Sequence, residues 1–240
     1  MRKITGPGTI VQIGGTNCVG KTTIAQRFAD THPGSVVFID GVHMLHEIVK
    51  EHFGKQLAEL SESQKRKARV LLREKLTANA AWRLVVLEGH FTVVHGEGDF
   101  TPSDFGVKPD ALILVSPPSE EHVRLFQNAQ SLDPKPRVLS LKTAIRRAEA
   151  EMRFAKALAE SRGIPLHVIT SSPNDAAAEA HKILEGYLAQ VNQIRRSAQV
   201  NKMIRMGRAQ LQEPEYEEYA LQKIRRKPPK RKFFKYGERE

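Results

Sequence analysis

Gly15, four intervening residues, then Gly20, Lys21 and Thr22 make the spacing G-x-x-x-x-G-K-[ST], carried here by GGTNCVGKTT. The chemistry this pattern serves is the grip of a polyphosphate. Its glycines let the backbone adopt conformations closed to residues with a side chain, so that main-chain amides approach phosphate oxygens. Lys21 is then expected at the β and γ phosphates of ATP, and the Thr22 hydroxyl at Mg²⁺. Gly15, Thr16, Asn17, Cys18, Val19, Gly20, Lys21, Thr22 and Thr23 are the expected nucleotide-binding residues. A glycine turn that merely joins a strand to a helix is the bland alternative, and the flanks argue against it. TIVQIG before the loop is an apolar, β-branched run of strand length; TTIAQRFAD after it spaces Ile24, Ala25 and Phe28 on one helical face.

A magnesium nucleotide needs a carboxylate near the metal. Glu88, ending RLVVLEGH just before Gly89 and His90, is the first candidate. Asp40, ending SVVFID, is the second; it could instead orient an acceptor or cap a helix or turn. Arg66, Arg69 and Arg73 share a helical face that could reach an acceptor phosphate, although the same spacing fits a solvated basic face. Asp40, Arg69, Arg73 and His90 are therefore the acceptor-binding candidates. His43, His90 and His95 lack metal-site spacing and a cysteine partner, so polar packing is expected of them. Phosphoryl transfer also calls for cations at the moving group. Arg124 and Arg137 flank the polar, two-proline stretch QNAQSLDPKPRV, and Arg153 follows on the next helix. Residues 124 to 137 are expected to form a mobile lid that closes over the nucleotide and expels water.

Five apolar runs, at TIVQIG, SVVFID, RLVVLEGH, DALILVS and PLHVIT, alternate with helical stretches. That is the signature of an α/β fold with a five-stranded parallel sheet sandwiched by helices. Ligand sites in such sheets lie at the carboxyl ends of the strands, where the phosphate loop, Asp40 and Glu88 all fall. A capping box at Ser61 to Gln64 opens one helix; another runs from Ser140 to Arg162 and stops at Gly163 and Pro165. No run of about 18 apolar residues is present. The N-terminal MRKITGPG lacks the apolar middle of a secretion signal, and the single cysteine, Cys18, fits a reducing, cytoplasmic setting. Within the loop Cys18 could block nucleotide binding when oxidised, or serve as a silent filler.

Several segments, taken in order, resemble the archaeal-type adenylate kinases and, more broadly, the small P-loop nucleoside monophosphate kinases. They are the loop GGTNCVGKTT, the stretch ELSESQKRKARVLLREKLTANAAWRLVVLEGH, then KPDALILVSPP and AEAEMRFAKALAESRGIPLHVIT. The likeness runs over about residues 8 to 190. It implies Mg-ATP as donor, a nucleoside monophosphate (AMP first) as acceptor, and a short lid. On that pattern Lys21 and Thr22 bind the donor, and Glu88 stands where the family often has aspartate. Arg124, Arg137 and Arg153 match arginines of the lid and the following helix, as catalytic cations beside Lys21. Where that family carries several close-set arginines in the lid, this chain has only Arg124, Lys135 and Arg137.

The expected domains are residues 1 to 190, kinase-like, and 191 to 240, a basic helical or disordered extension. The extension holds 14 Lys and Arg against 6 Asp and Glu, a net +8 of the chain's +11. Its KIRRKPPKRKFFKYG joins cations to aromatics, a combination suited to nucleic-acid contact, and also to a nuclear address, an anionic membrane or a solubilising tail. Two other functional readings follow from it: a nucleic-acid-associated P-loop ATPase acting in ribonucleoprotein assembly, and a polynucleotide 5′-kinase.

Overall fold

The computed structural model describes residues 8–95, 99–103, 105–130 and 140–210 of the 240-residue chain. Strands β1 (Thr9–Gly15), β2 (Val36–Asp40), β3 (Leu84–Glu88), β6 (Ala111–Val115) and β7 (Leu166–Ile169) form one sheet in the order β2-β3-β1-β6-β7. Every pairing in it is parallel. The five apolar runs are these five strands. β1 and β6 are buried along almost their whole length because helices cover both faces.

Alternation along β1 divides the core. Val11 and Ile13 face helices α1 (Lys21–Thr31) and α6 (Pro173–Gln210), packing with Ile24, Phe28, Leu184 and Leu188. Ile10 faces the other side, where α2 (Gly41–Phe53) and α3 (Glu62–Ala80) supply Ile48, Leu72 and Leu76. Farther along that side, α5 (Leu141–Arg162) lays Ala155 and Ala159 on Leu112 and Leu114. Leu72 and Leu76 are wholly buried, which contributes about 1.5–3 kcal/mol each. The reciprocal Ser61–Gln64 capping box opens α3, and Gly163 in the left-handed region closes α5.

Two elements depart from the sequence expectation. The first is an antiparallel hairpin of β4 (Thr92–His95) and β5 (Asp99–Pro102), which rises from the segment after Glu88. The second lies in the expected lid, where Ser119–Gln130 is helix α4. Its His122, Val123 and Phe126 fall on one face and are covered, while Glu120 and Glu121 complement the positive end of its dipole. Residues 124–130 are therefore ordered helix. Arg137 and the two prolines of that stretch lie outside the described residues.

The chain divides into two compact units, residues 1–194 and residues 195–240. Within the second, the described residues 195–210 are helical and expose Val200, Met203 and Ile204. The segment KIRRKPPKRKFFKYG lies outside the described residues.

Candidate active site

The loop between β1 and α1 is shaped by backbone conformation. Gly15 has φ 139, and a Cβ there would come within 2.2 Å of the Val115 carbonyl oxygen on β6. Gly20 has φ 89 with open space around it, so its requirement is conformational alone. Cys18 also lies in the left-handed region, at φ 64, and packs beside Phe126 and Ala144. Helix α1 begins on Gly20 without a side-chain cap and without an acidic residue in its first turn. By contrast Asp40, Ser61 and Ser140 cap α2, α3 and α5. The first amides of α1 are thus left for an anion. Strand, phosphate loop and helix on a parallel sheet define a P-loop NTPase fold.

Lys21 is 5% exposed, and its Nζ donates to the Thr16 carbonyl at 2.7 Å. Burial pushes its ammonium below the ordinary lysine range, with Glu88 and then Glu151 pulling in the opposite direction. The loop is pinned from behind by His122, at 1% exposure. Its Nε2 lies 3.1 Å from the Asn17 carbonyl and its Nδ1 3.4 Å from Thr16 Oγ1. Burial holds this imidazole below its ordinary pKa, and the nearby Arg147 and Lys21 charges push the same way, against the Asn17 hydrogen bond. The neutral tautomer that donates from Nε2 to Asn17 leaves Nδ1 to accept from Thr16.

Glu88 lies across from both Ile13 of β1 and Asp40 of β2. Thr22 Oγ1 donates to Glu88 Oε1 at 2.9 Å, while Glu88 Oε2 is buried without a hydrogen-bond partner. A hydroxyl and a carboxylate with a buried open oxygen are hard donors of the kind Mg²⁺ takes, so Thr22 and Glu88 fit that ion. Among the described residues there is no cluster of three or more His, Cys, Asp or Glu side chains suited to an all-protein metal site. His43 pairs with Glu47 on α2, and His95 lies in β4 opposite Asp99.

Two cavities adjoin the loop. One, of about 490 Å³, is lined by Asn17, Cys18, Gly20 to Thr23, Glu88, His90, Phe126 and Ala129. The second, of about 730 Å³, shares Asn17 and His90 with the first. Its walls come from α2 and the following turn (Val42, Leu45, Leu57), from α3 (Lys65, Arg69), from the hairpin and Phe105, and from Arg147 and Glu151 of α5. Glu151 is 2% exposed and clamps the chain after β3. It accepts from the Phe91 amide at 2.9 Å and Thr92 Oγ1 at 2.7 Å, and it faces His90 Nδ1 at 3.4 Å.

The structure therefore gathers Lys21, Thr22, Thr23, Glu88, His90, Asn17 and Arg69 around two neighbouring cavities. Val19 instead anchors the loop in the core. Asp40 accepts from the His43 amide at 2.9 Å as the cap of α2 and lines neither cavity. Arg73 is exposed on α3, away from both. Arg124 is held by Glu121 on the exposed face of α4, and Arg153 lies over the Phe154 ring beside a separate hollow near Ser116. Neither arginine lines the two cavities, because on each helix the face toward the site is taken by other side chains: His122 and Phe126 on α4, Arg147 and Glu151 on α5.

Sequence reasoning singled out neither His122, Arg147 nor Glu151 as a site residue. Arg147 and Glu151 are four apart on one helix, a spacing that puts both on one face. The Nε of Arg147 is buried without a hydrogen-bond partner.

No protein-family model matches the chain, and no curated protein matches it. Among solved structures it is similar to shikimate kinase from Acinetobacter baumannii in complex with shikimate, with a TM-score of 0.45 and 18% identity, over 78% of this chain and 96% of that one. Among the described residues no helix is long and apolar enough to cross a membrane.

Proposed function

We propose that the chain is an ATP-dependent phosphotransferase that moves the γ-phosphoryl group of ATP to a nucleoside monophosphate, AMP being the first acceptor to test. The observation that carries this reading is the meeting of two cavities at Asn17 and His90, one at the phosphate loop and one beside it lined by Lys65, Arg69 and Arg147. A hydrolase has no need of a second, partly cationic chamber next to the γ position.

In this reading the triphosphate lies on the uncapped amides of α1, and Lys21 leaves the Thr16 carbonyl to reach the β and γ oxygens. Thr22 and Glu88 hold Mg²⁺, which neutralises phosphate charge when bound. The apolar wall of Val42, Leu45, Leu57 and Phe105 suits a base, and Lys65, Arg69 and Arg147 suit the acceptor's phosphate. An acceptor phosphate oxygen then bonds to the γ phosphorus as the bond to the β–γ bridging oxygen breaks, giving ADP and a nucleoside diphosphate. His90, facing Glu151, stands where the two substrates meet. Arg137, beyond the described residues, is the remaining candidate for a cation over the nucleotide.

The rival reading is a nucleic-acid-associated ATPase, favoured by the net +8 of residues 191–240 and by Val200, Met203 and Ile204 exposed beside Arg195, Arg196 and Lys202. Incubating the protein with Mg-[γ-³²P]ATP, separately with each nucleoside monophosphate, with RNA ends or with no acceptor, distinguishes the two. Label in a nucleoside diphosphate, lost in Lys21→Ala, is the expected result. Acceptor-independent phosphate release stimulated by RNA would replace the kinase reading, and label on RNA 5′ ends would make the acceptor a polynucleotide.

A further inference from the structure

Strand β1 carries one side chain that its surroundings leave unsatisfied. Gln12 lies between Leu87 of β3 and Leu112 of β6 in the middle of the sheet, is 4% exposed, and its Nε2 has no hydrogen-bond partner. A buried amide in that state bears its desolvation cost with no hydrogen bond to offset it. Gln12 lines a cavity of about 400 Å³, separate from the phosphate loop, whose walls include the rings of Phe91, Phe105 and Phe154 together with Val107 and Leu158.

We propose that this cavity is a binding site for a small, uncharged aromatic molecule bearing a carbonyl or ring-nitrogen acceptor, which takes the hydrogen bond from Gln12 Nε2. Three phenyl rings favour a planar apolar body. An uncharged ligand follows from the lining. Among its described residues there is no carboxylate, and the cation present, Arg162, already donates to the Val107 carbonyl. A charged ligand would lose its hydration without a counter-charge. A resident water fits less well, because it needs two to four polar partners. The serines nearby are Ser103 and Ser161, and Ser161 already donates to the Leu158 carbonyl.

The cavity shares Pro102, Ser103 and Phe105 with the one beside the phosphate loop but is lined by no residue of that loop, so its test is made on the full chain without nucleotide. Binding of 4-fluorobenzamide and of fluorobenzene is followed by ¹⁹F NMR, and crystals are soaked in 4-fluorobenzamide. The expected result is a carbonyl oxygen at Gln12 Nε2, an affinity for 4-fluorobenzamide about tenfold lower in Gln12→Leu, and fluorobenzene binding that does not fall. Ala157→Trp, a change at an exposed position on the rim, keeps the core intact and is expected to abolish binding of both probes. Equal 4-fluorobenzamide affinity in wild type and Gln12→Leu, undiminished binding in Ala157→Trp, or soaked crystals with only ordered water at Gln12 would overturn the proposal.

Discussion

His122 Nε2 lies 3.1 Å from the carbonyl oxygen of Asn17, so a helix 105 residues downstream fixes the backbone of the phosphate loop. The same ring meets Thr16 through its other nitrogen. Burial and the nearby Arg147 and Lys21 charges keep this ring neutral, although the Asn17 contact by itself favours the charged form. A folded-state pKa below the ordinary 6.5 means that the unfolded chain takes up this proton first as pH falls. The stabilisation is therefore complete above 6.5 and is lost as pH drops through the lowered folded value. His122→Ala should cost about 2–4 kcal/mol and weaken ATP binding. Thermal unfolding between pH 7.5 and 5 should show a smaller acid-side loss in the variant than in wild type.

Lys21 titrates in the same sense but is linked to ligand. Its pKa is lowered from the ordinary 10.5 in the free protein, and a triphosphate beside it restores the charged form. Binding must then take up protons at pH values between the lowered value and 10.5, and affinity must fall as pH rises through that window. Calorimetry of Mg-ATP binding in buffers of different ionisation enthalpy should report this uptake for wild type. Lys21→Met should show none.

The open oxygen of Glu88 predicts a magnesium phenotype. Glu88→Gln keeps the size of the side chain but removes its charge beside Thr22. The magnesium concentration needed for half-maximal turnover should rise roughly 10- to 100-fold, with the fold unchanged by circular dichroism. An unaltered magnesium titration would remove Glu88 from the metal role.

Arg147 and Arg124 predict opposite outcomes. Arg147 lines the second cavity, proposed for the acceptor, with a buried, unpartnered Nε, whereas Arg124 is paired with Glu121 at the surface. Arg147→Ala should raise the acceptor KM roughly 10- to 100-fold while leaving the ATP affinity near wild type. Arg124→Ala and Arg153→Ala should leave both constants within about twofold. Steady-state kinetics with each substrate varied in turn checks all three.

Local signals carried the glycine loop and Glu88, which line the first cavity. The loop spacing, the strand before it and the helix after it are contiguous, and Glu88 ends an apolar run, so each was legible without tertiary knowledge. The second cavity was less legible. Arg69 shares its helical face with Arg66 and Arg73, and periodicity cannot tell which arginine faces a cavity and which faces water. The hairpin was missed although Thr92-Val93-Val94 and the Gly96–Gly98 stretch are strand and turn signals. Its strands are only four residues each, too short to stand out. The amphipathic spacing of His122, Val123 and Phe126 is a helix signal that runs into the expected lid, but it is soon followed by the turn signals of the prolines at 134 and 136.

What the amino-acid order determined alone was the parallel α/β layout and the strand, glycine loop and helix expected to grip a polyphosphate, because hydrophobic period, glycine conformational freedom and helix caps act over a few neighbouring residues. Packing alone decided which distant side chains serve that grip. His122 meets the loop, Glu151 clamps the segment after β3, and Arg147 lines the cavity beside it only once α4 and α5 are laid against the sheet. Burial then lowers the pKa of His122 and leaves specific polar atoms, on Glu88, Arg147 and Gln12, without a partner. Such partnerships span up to about a hundred residues of chain, and no local pattern in the sequence encodes them.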